Sequence, residues 1–210
     1  MSSPIASPGQ VLGGRYRLGP EIGSGAMGVV HEAVQESLGR NVAIKVLRPI
    51  LAGDQDMVAR FRAEAERAAR LNHPHVVQVI DFGHEPTGLL WIAMERLVGT
   101  SLRDRMQAGR PSVDDALGII DDVLKALEAA HAAKLIHRDL KPGNIFLAEV
   151  PGLGTVAKVL DFGIAKLLDG DAASKLTGTG VVLGTPLYMA PEQLRGGPID
   201  ARADLYSVGV

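Results

Sequence analysis

Apolar and polar residues alternate along the first part of the chain, and the period then changes. Between Arg15 and Leu47 the alternation predicts three short strands, Arg15–Ile22, Val29–Glu36 and Asn41–Leu47. A glycine-rich turn joins the first pair and Leu38-Gly39-Arg40 the second. From Asp54 to Asn72 the spacing becomes helical: Met57, Val58, Phe61, Ala65, Ala68 and Leu71 gather on one arc at about 100° per residue. Strand-like runs return at Val76–Asp81 and Leu89–Glu95. Past Gly99 the pattern is helical again. Ser112, with Asp115 three residues on, is a capping pair, and Leu117, Ile120, Leu124 and Leu127 follow at helical spacing. The expected organisation is α+β: a strand-rich lobe at about 15–94, a connector at about 95–99, and a mainly helical lobe over 100–210. Met1–Gly14, rich in Ser, Pro and Gly, reads as a loose leader.

Composition narrows the function classes. The 210 residues are 46% hydrophobic and 22% charged, as in an ordinary globular protein. Net charge is −2, so no general affinity for nucleic acid is expected. There is no cysteine, which removes disulfides and thiolate metal sites. No signal peptide opens the chain and no apolar run approaches the ~18 residues of a membrane span. A cytoplasmic location is expected, with a tether beyond Val210 left open.

Three local patterns carry chemistry. Gly23-Ser24-Gly25-Ala26-Met27-Gly28 fits G-x-G-x-x-G, a weak motif alone. A dinucleotide-binding turn would open into a helix, yet Val29-Val30-His31-Glu32-Ala33-Val34 reads as a strand, and a Walker loop would need Gly-Lys-Ser/Thr. In Val42-Ala43-Ile44-Lys45, Ala43 and Lys45 face the same side. Glu64 falls inside the apolar arc of the following helix, whereas Glu66 lies on its Arg-rich face; a buried carboxylate needs a partner, and Lys45 is the natural one. Finally, His137-Arg138-Asp139-Leu140-Lys141-Pro142-Gly143-Asn144 is followed, 17 residues after its Asn, by Asp161-Phe162-Gly163. That stretch supplies two metal-ligand candidates, a proton acceptor and a fixed cation, the set phosphoryl transfer requires.

In order and spacing these residues resemble the protein kinase family, specifically the eukaryotic-like Ser/Thr kinases of bacteria. The resemblance implies a two-lobed kinase fold, with an antiparallel sheet and one helix before a helical lobe that is incomplete here, the chain stopping inside the family's central helix. It implies ATP and Mg²⁺ as cofactors and protein Ser/Thr hydroxyls as substrates. Asp139 would receive the substrate hydroxyl, Lys141 would neutralise the γ-phosphate, and Asn144 and Asp161 would hold the metal. Ile22, Gly23, Ser24, Gly25, Ala26, Met27, Gly28, Val30, Ala43, Lys45 and Glu64 would line the nucleotide site. Glu95 and Leu97 would bind adenine through their backbone, beside the gatekeeper Met94, with Phe146 as its floor. Arg96 stands where an aromatic is frequent. Phe162 would pack beside a structural His137, and Asp204 would anchor the backbone around His137 and Arg138. Thr177 and Thr179 are the expected autophosphorylation sites, with Arg138 near enough to bind the phosphate, and self-association in trans would deliver them. Ser174 reads as solvated loop, and Thr185 as a substrate-facing contact. A catalytically silent nucleotide-binding scaffold is the alternative function. A small-molecule kinase conflicts with Lys141 and with the Gly184-Thr185-Pro186…Ala190-Pro191-Glu192 segment.

Overall fold

The computed structural model describes residues 5–25, 28–47, 55–162 and 186–210. They divide into two units, Met1–Ala69 with Gln78–Leu97, and Arg70–Val77 with Val98–Val210.

The first unit is an antiparallel sheet of six strands with one helix. In chain order the elements are β1 (Val11–Leu12), β2 (Tyr16–Gly25), β3 (Gly28–Gln35), β4 (Arg40–Leu47), α1 (Gln55–Arg70), β5 (Val79–His84) and β6 (Leu90–Glu95), and the strands lie in the order β1-β2-β3-β4-β6-β5. Val42 to Leu47 are all buried, as expected of a central strand covered on both faces. One face packs Val42, Ile44 and Val46 with Leu18, Ala33, Trp91 and Ala93. The register Val30↔Lys45↔Ile92 and Glu32↔Ala43↔Met94 puts the other six on the opposite face.

Residues 5–14 depart from the loose leader expected of their composition. Leu12 is 0% exposed, Ala6 is buried, and Ile5 packs on the same core. Burying a side chain such as Leu12 contributes about 1.5–3 kcal/mol, which outweighs a Gly- and Pro-rich surrounding. Polar tips reinforce the strap: Tyr16 Oη donates to Asp81 at 2.9 Å, while Gly13 N and Trp91 Nε1 both donate to Glu85 Oε1, at 2.8 and 2.7 Å.

The second unit holds β7 (Gly99–Ser101), α2 (Leu102–Ala108), α3 (Val113–Ala132), a 3-10 turn at Pro142–Asn144, β8 (Ile145–Val150), β9 (Gly154–Val159), a 3-10 turn at Pro186–Tyr188, α4 (Pro191–Leu194) and α5 (Arg202–Gly209). Ser112 caps α3, its side chain accepting from Asp115 N at 3.1 Å, as its sequence position predicts. The buried stripe of α3 is Val123, Ala126, Leu127 and Ala130. Of the expected arc only Leu127 is buried, Leu117 being 59% exposed. The helix is apolar over two neighbouring arcs, and the one with alanines allows the close approach to β9, where Asp122 accepts from Ala157 N at 3.0 Å. Leu71 and Val76 join this second core, so Arg70–Val77 leaves the lobe expected to contain it. Strands β7, β8 and β9 were not evident in the sequence pattern; they form a separate sheet in that order. Among the described residues no helix is long and apolar enough to cross a membrane.

Candidate active site

The loop 137–144 is fixed from behind by one carboxylate. Asp204, on α5 and wholly buried, accepts from the backbone N–H of His137 at 2.9 Å and of Arg138 at 2.8 Å. Its third donor is His131 Nε2 of α3, at 2.7 Å. Burial alone would push the Asp204 carboxyl up; His131, His137 and the two backbone N–H groups outweigh it and hold the group below the usual carboxylate range.

This anchoring holds a backbone that the chain would not adopt unaided. Arg138 has φ 67°, in the left-handed region that costs a side-chain-bearing residue about 1–3 kcal/mol. Its carbonyl accepts from Gln193 Nε2 at 2.7 Å, and Gln193 Oε1 in turn accepts from Ala190 N at 3.0 Å. The Ala190-Pro191-Glu192-Gln193 segment therefore caps its own short helix and braces the loop at once.

His137 is completely buried, and its two ring nitrogens have opposite tasks. Nε2 lies 2.7 Å from the Leu160 carbonyl, which can only accept, so Nε2 carries the proton. Nδ1 lies 3.3 Å from Asp139 N, which can only donate, so Nδ1 is bare. The edge of Phe162 meets the ring at a centroid distance of 5.0 Å, the packing expected for both residues.

In front of this frame stand Asp139, Lys141 and Asn144. Lys141 Nζ reaches Asp139 Oδ1 at 3.0 Å and Oδ2 at 2.7 Å. Asn144 Nδ2 donates to the Asp139 carbonyl at 2.7 Å and to Oδ2 at 3.2 Å. Those two bonds fix the amide's orientation and leave its Oδ1, a hard neutral oxygen, without a partner among the described residues. Leu160 N donates to the Asn144 carbonyl at 2.9 Å, tying this turn to Asp161, itself left-handed at φ 60°. Phe146 follows on β8, half-buried and in register with Ser101 and Lys158.

In the first unit, Lys45 and Glu64 are both buried, at 7% and 6% exposure, while Glu66 is exposed. Arg67 Nη1 also donates to Glu64 Oε1 at 2.8 Å, an i,i+3 contact that the hydrophobic arc did not reveal. Val30, Ala43, Lys45 and Met94 share one sheet face by register. Gly28 is required by the sheet itself, since a Cβ there would sit 2.1 Å from the Val46 carbonyl oxygen. Around Gly25 there is open space, and a Cβ on Gly23 would meet only Val30, at 4.0 Å. These two glycines answer no demand of their own fold and leave bare backbone beside exposed Ile22 and Ser24. Beyond β6, Glu95 N donates to the Gln78 carbonyl at 3.0 Å, and the Leu97 carbonyl accepts from Arg96 Nη1. Ala26, Met27, Gly163, Ser174, Thr177, Thr179 and Thr185 lie outside the described residues.

Sequence reading missed His131, Gln193, Arg67 and Glu32. Only Gln193 left a usable signal, being the third helical residue after Ala190 with Pro191 at the first.

The protein kinase domain model matches residues 16–210. The chain is 47% identical over 204 residues to the serine/threonine-protein kinase pkn3 of Myxococcus xanthus, covering 96% of this chain and 37% of that protein. It is 44% identical over 207 residues to the serine/threonine-protein kinase PknA of Mycobacterium tuberculosis, covering 96% of this chain and 46% of that one. It thus spans less than half the length of either relative. The crystal structure of the Mycobacterium tuberculosis PknI kinase domain superposes with a TM-score of 0.76 at 32% identity, over 97% of this chain and 74% of that domain. A loop braced from behind, an ordered Asp-Lys-Asn cluster and a match running nearly end to end place this chain in the protein kinase family, beside the serine/threonine kinases of bacteria.

Proposed function

We propose that this chain is the catalytic domain of a protein serine/threonine kinase that takes its phosphoryl group from ATP with Mg²⁺. The observation that carries this reading is the Asp139 carboxylate held between Lys141 Nζ and Asn144 Nδ2 on an anchored loop. Asp139 orients the acceptor hydroxyl and takes its proton late, since a loose transition state leaves that proton in place until transfer is advanced. Lys141 shifts from the carboxylate to the charge building on the transferred group. The residues present fit a magnesium ion: Asn144 Oδ1 and the Asp161 carboxylate are hard oxygen donors, few enough to leave positions for phosphate and water. When bound, the ion neutralises phosphate charge and fixes the geometry of the tail.

Lys45, kept buried with Glu64 in its unit, would hold the remaining phosphates, and Gly23, Ser24, Gly25 and Gly28 would lay backbone over them. Val30 and Ala43 would cover the base and Phe146 support it. In this reading the lobes run over about 15–94, apart from Arg70–Val77, and 100–210, joined by 95–99. Protein substrates, self-association and phosphorylation of Thr177 and Thr179 belong to the same proposal, Arg138 being the cation nearest in sequence to the catalytic Asp139.

The test is transfer of radiolabelled phosphate to a protein acceptor in the presence of Mg²⁺, comparing the full-length protein with Asp139→Asn. The variant keeps shape and removes the acceptor charge, and a loss of about 10²–10⁴-fold in kcat is expected. Equal rates would refute the assignment of Asp139, and no transfer by either protein would favour a silent scaffold.

A further inference from the structure

Glu32 and Arg96 meet beside the sheet face that carries Ala43 and Met94. Glu32 is in register with Ala43, and Ala43 with Met94, so all three share that face. Arg96, two residues past Met94, folds its guanidinium back over the connector. Its Nε and Nη2 lie 3.1 and 2.6 Å from Glu32 Oε1, while Nη1 donates to the carbonyl of Leu97. The ion pair is partly exposed and contributes little to stability by itself. Its effect is on what the connector offers a ligand. The Leu97 N–H has no acceptor among the described residues, whereas the Leu97 carbonyl is already engaged. That carbonyl keeps a second lone pair, but any further donor approaching it meets the positive edge of the guanidinium.

We propose that Arg96, held in place by Glu32, selects adenine against guanine as the base of the phosphate donor. The proposal rests on the reading of Glu95–Leu97 as the nucleotide-binding connector. Adenine presents an acceptor at N1 next to a donor amino group; guanine presents a donor at N1 next to an acceptor oxygen. Adenine N1 matches the Leu97 N–H. Guanine in the same pose sets N1–H against that N–H, donor to donor. Guanine fits only after sliding until its O6 takes the Leu97 N–H and its N1–H takes the Leu97 carbonyl. Arg96 occupies that carbonyl. A site that leaves a ligand's polar group unpaired rejects it strongly, more so than one that merely loses apolar contact.

The test compares ATP and GTP as donors in the full-length protein, as the ratio of their kcat/KM values, for wild type, Arg96→Ala and Glu32→Gln. Arg96→Ala is expected to raise the GTP-to-ATP ratio about ten-fold or more, mainly through KM for GTP. Glu32→Gln, which loosens the guanidinium without removing it, is expected to raise the ratio by a smaller factor. The ratio is insensitive to a general loss of stability, because both nucleotides are read in the same protein. Should Arg96→Ala not fold, as judged by its melting curve, Glu32→Gln decides alone. An unmoved ratio in a protein that still uses ATP overturns this inference and spares the kinase reading. Calorimetry showing that wild type binds neither Mg-ATP nor Mg-GTP overturns both.

Discussion

The Asp204 carboxylate accepts the backbone N–H of Arg138 at 2.8 Å across 66 positions of chain, while its second oxygen serves His137 and His131. Removing it would leave three donors, two of them backbone N–H groups, without their acceptor. Asp204→Ala is expected to lower unfolding stability by about 3–5 kcal/mol, read from the urea midpoint. Asp121→Ala, which affects only an exposed i,i+4 pair with Lys125, should stay within about 0.5 kcal/mol. Similar costs for the two would contradict the anchoring role.

Tyr16 sets an alkaline limit. Burial, then its hydrogen bond to Asp81 and the charge of that carboxylate, push its phenol up to about 12. The folded value exceeds the unfolded one, so the stabilisation is complete below about pH 10 and is lost as pH rises through about 12. A tyrosinate absorbance step near the upper limit should be seen in the wild type and be missing from Tyr16→Phe. A wild type whose tyrosines all ionise together near pH 10 would contradict this.

The glycine-rich hairpin separates two roles that the motif merges. Gly28→Ala forces a Cβ onto the Val46 carbonyl and should cost about 1–3 kcal/mol of stability by overpacking. Gly25→Ala meets open space; its unfolding free energy should hold within about 0.5 kcal/mol of wild type, while KM for ATP rises. If Gly25→Ala proved the more destabilising of the two, the distinction would be wrong.

In the proposed site Asn144 would link the acceptor side to the metal side. Its Nδ2 steadies Asp139 and its Oδ1 remains available, so Asn144→Ala is expected to raise the Mg²⁺ needed for half-maximal transfer about ten-fold or more. A magnesium titration of the rate checks it; an unchanged midpoint would remove Asn144 from the ligand set.

What could be read from the residues alone follows the range of the interactions. Asp139, Lys141 and Asn144 lie within six residues, and their mutual contacts are set by one turn of backbone. Ser112 and Asp115 are likewise local. Glu64 was found because a charge interrupts an apolar arc, although its contact with Arg67 was not. Contacts between distant positions left no comparable trace. Glu32 with Arg96, His131 with Asp204, and Gln193 with the Arg138 carbonyl depend on where whole elements lie. Periodicity also located α3 without revealing its covered side. Leucines mark an arc as apolar, yet close packing favoured the stripe containing Ala126 and Ala130. The leader misled for a related reason: Ile5-Ala6 and Val11-Leu12 are two short apolar pairs in a run rich in Ser, Pro and Gly, and what buries Ala6 and Leu12 is the sheet beyond.

The imidazole of His137 bears on how protons leave the proposed reaction. With one nitrogen committed to Leu160 and the other to Asp139 N, it has no vacancy for a third bond and no route to solvent. In the proposed reaction the ring therefore offers no relay, and the proton of the acceptor hydroxyl would leave through the Asp139 carboxylate. The ring serves as a fixed keystone between the loop and Leu160.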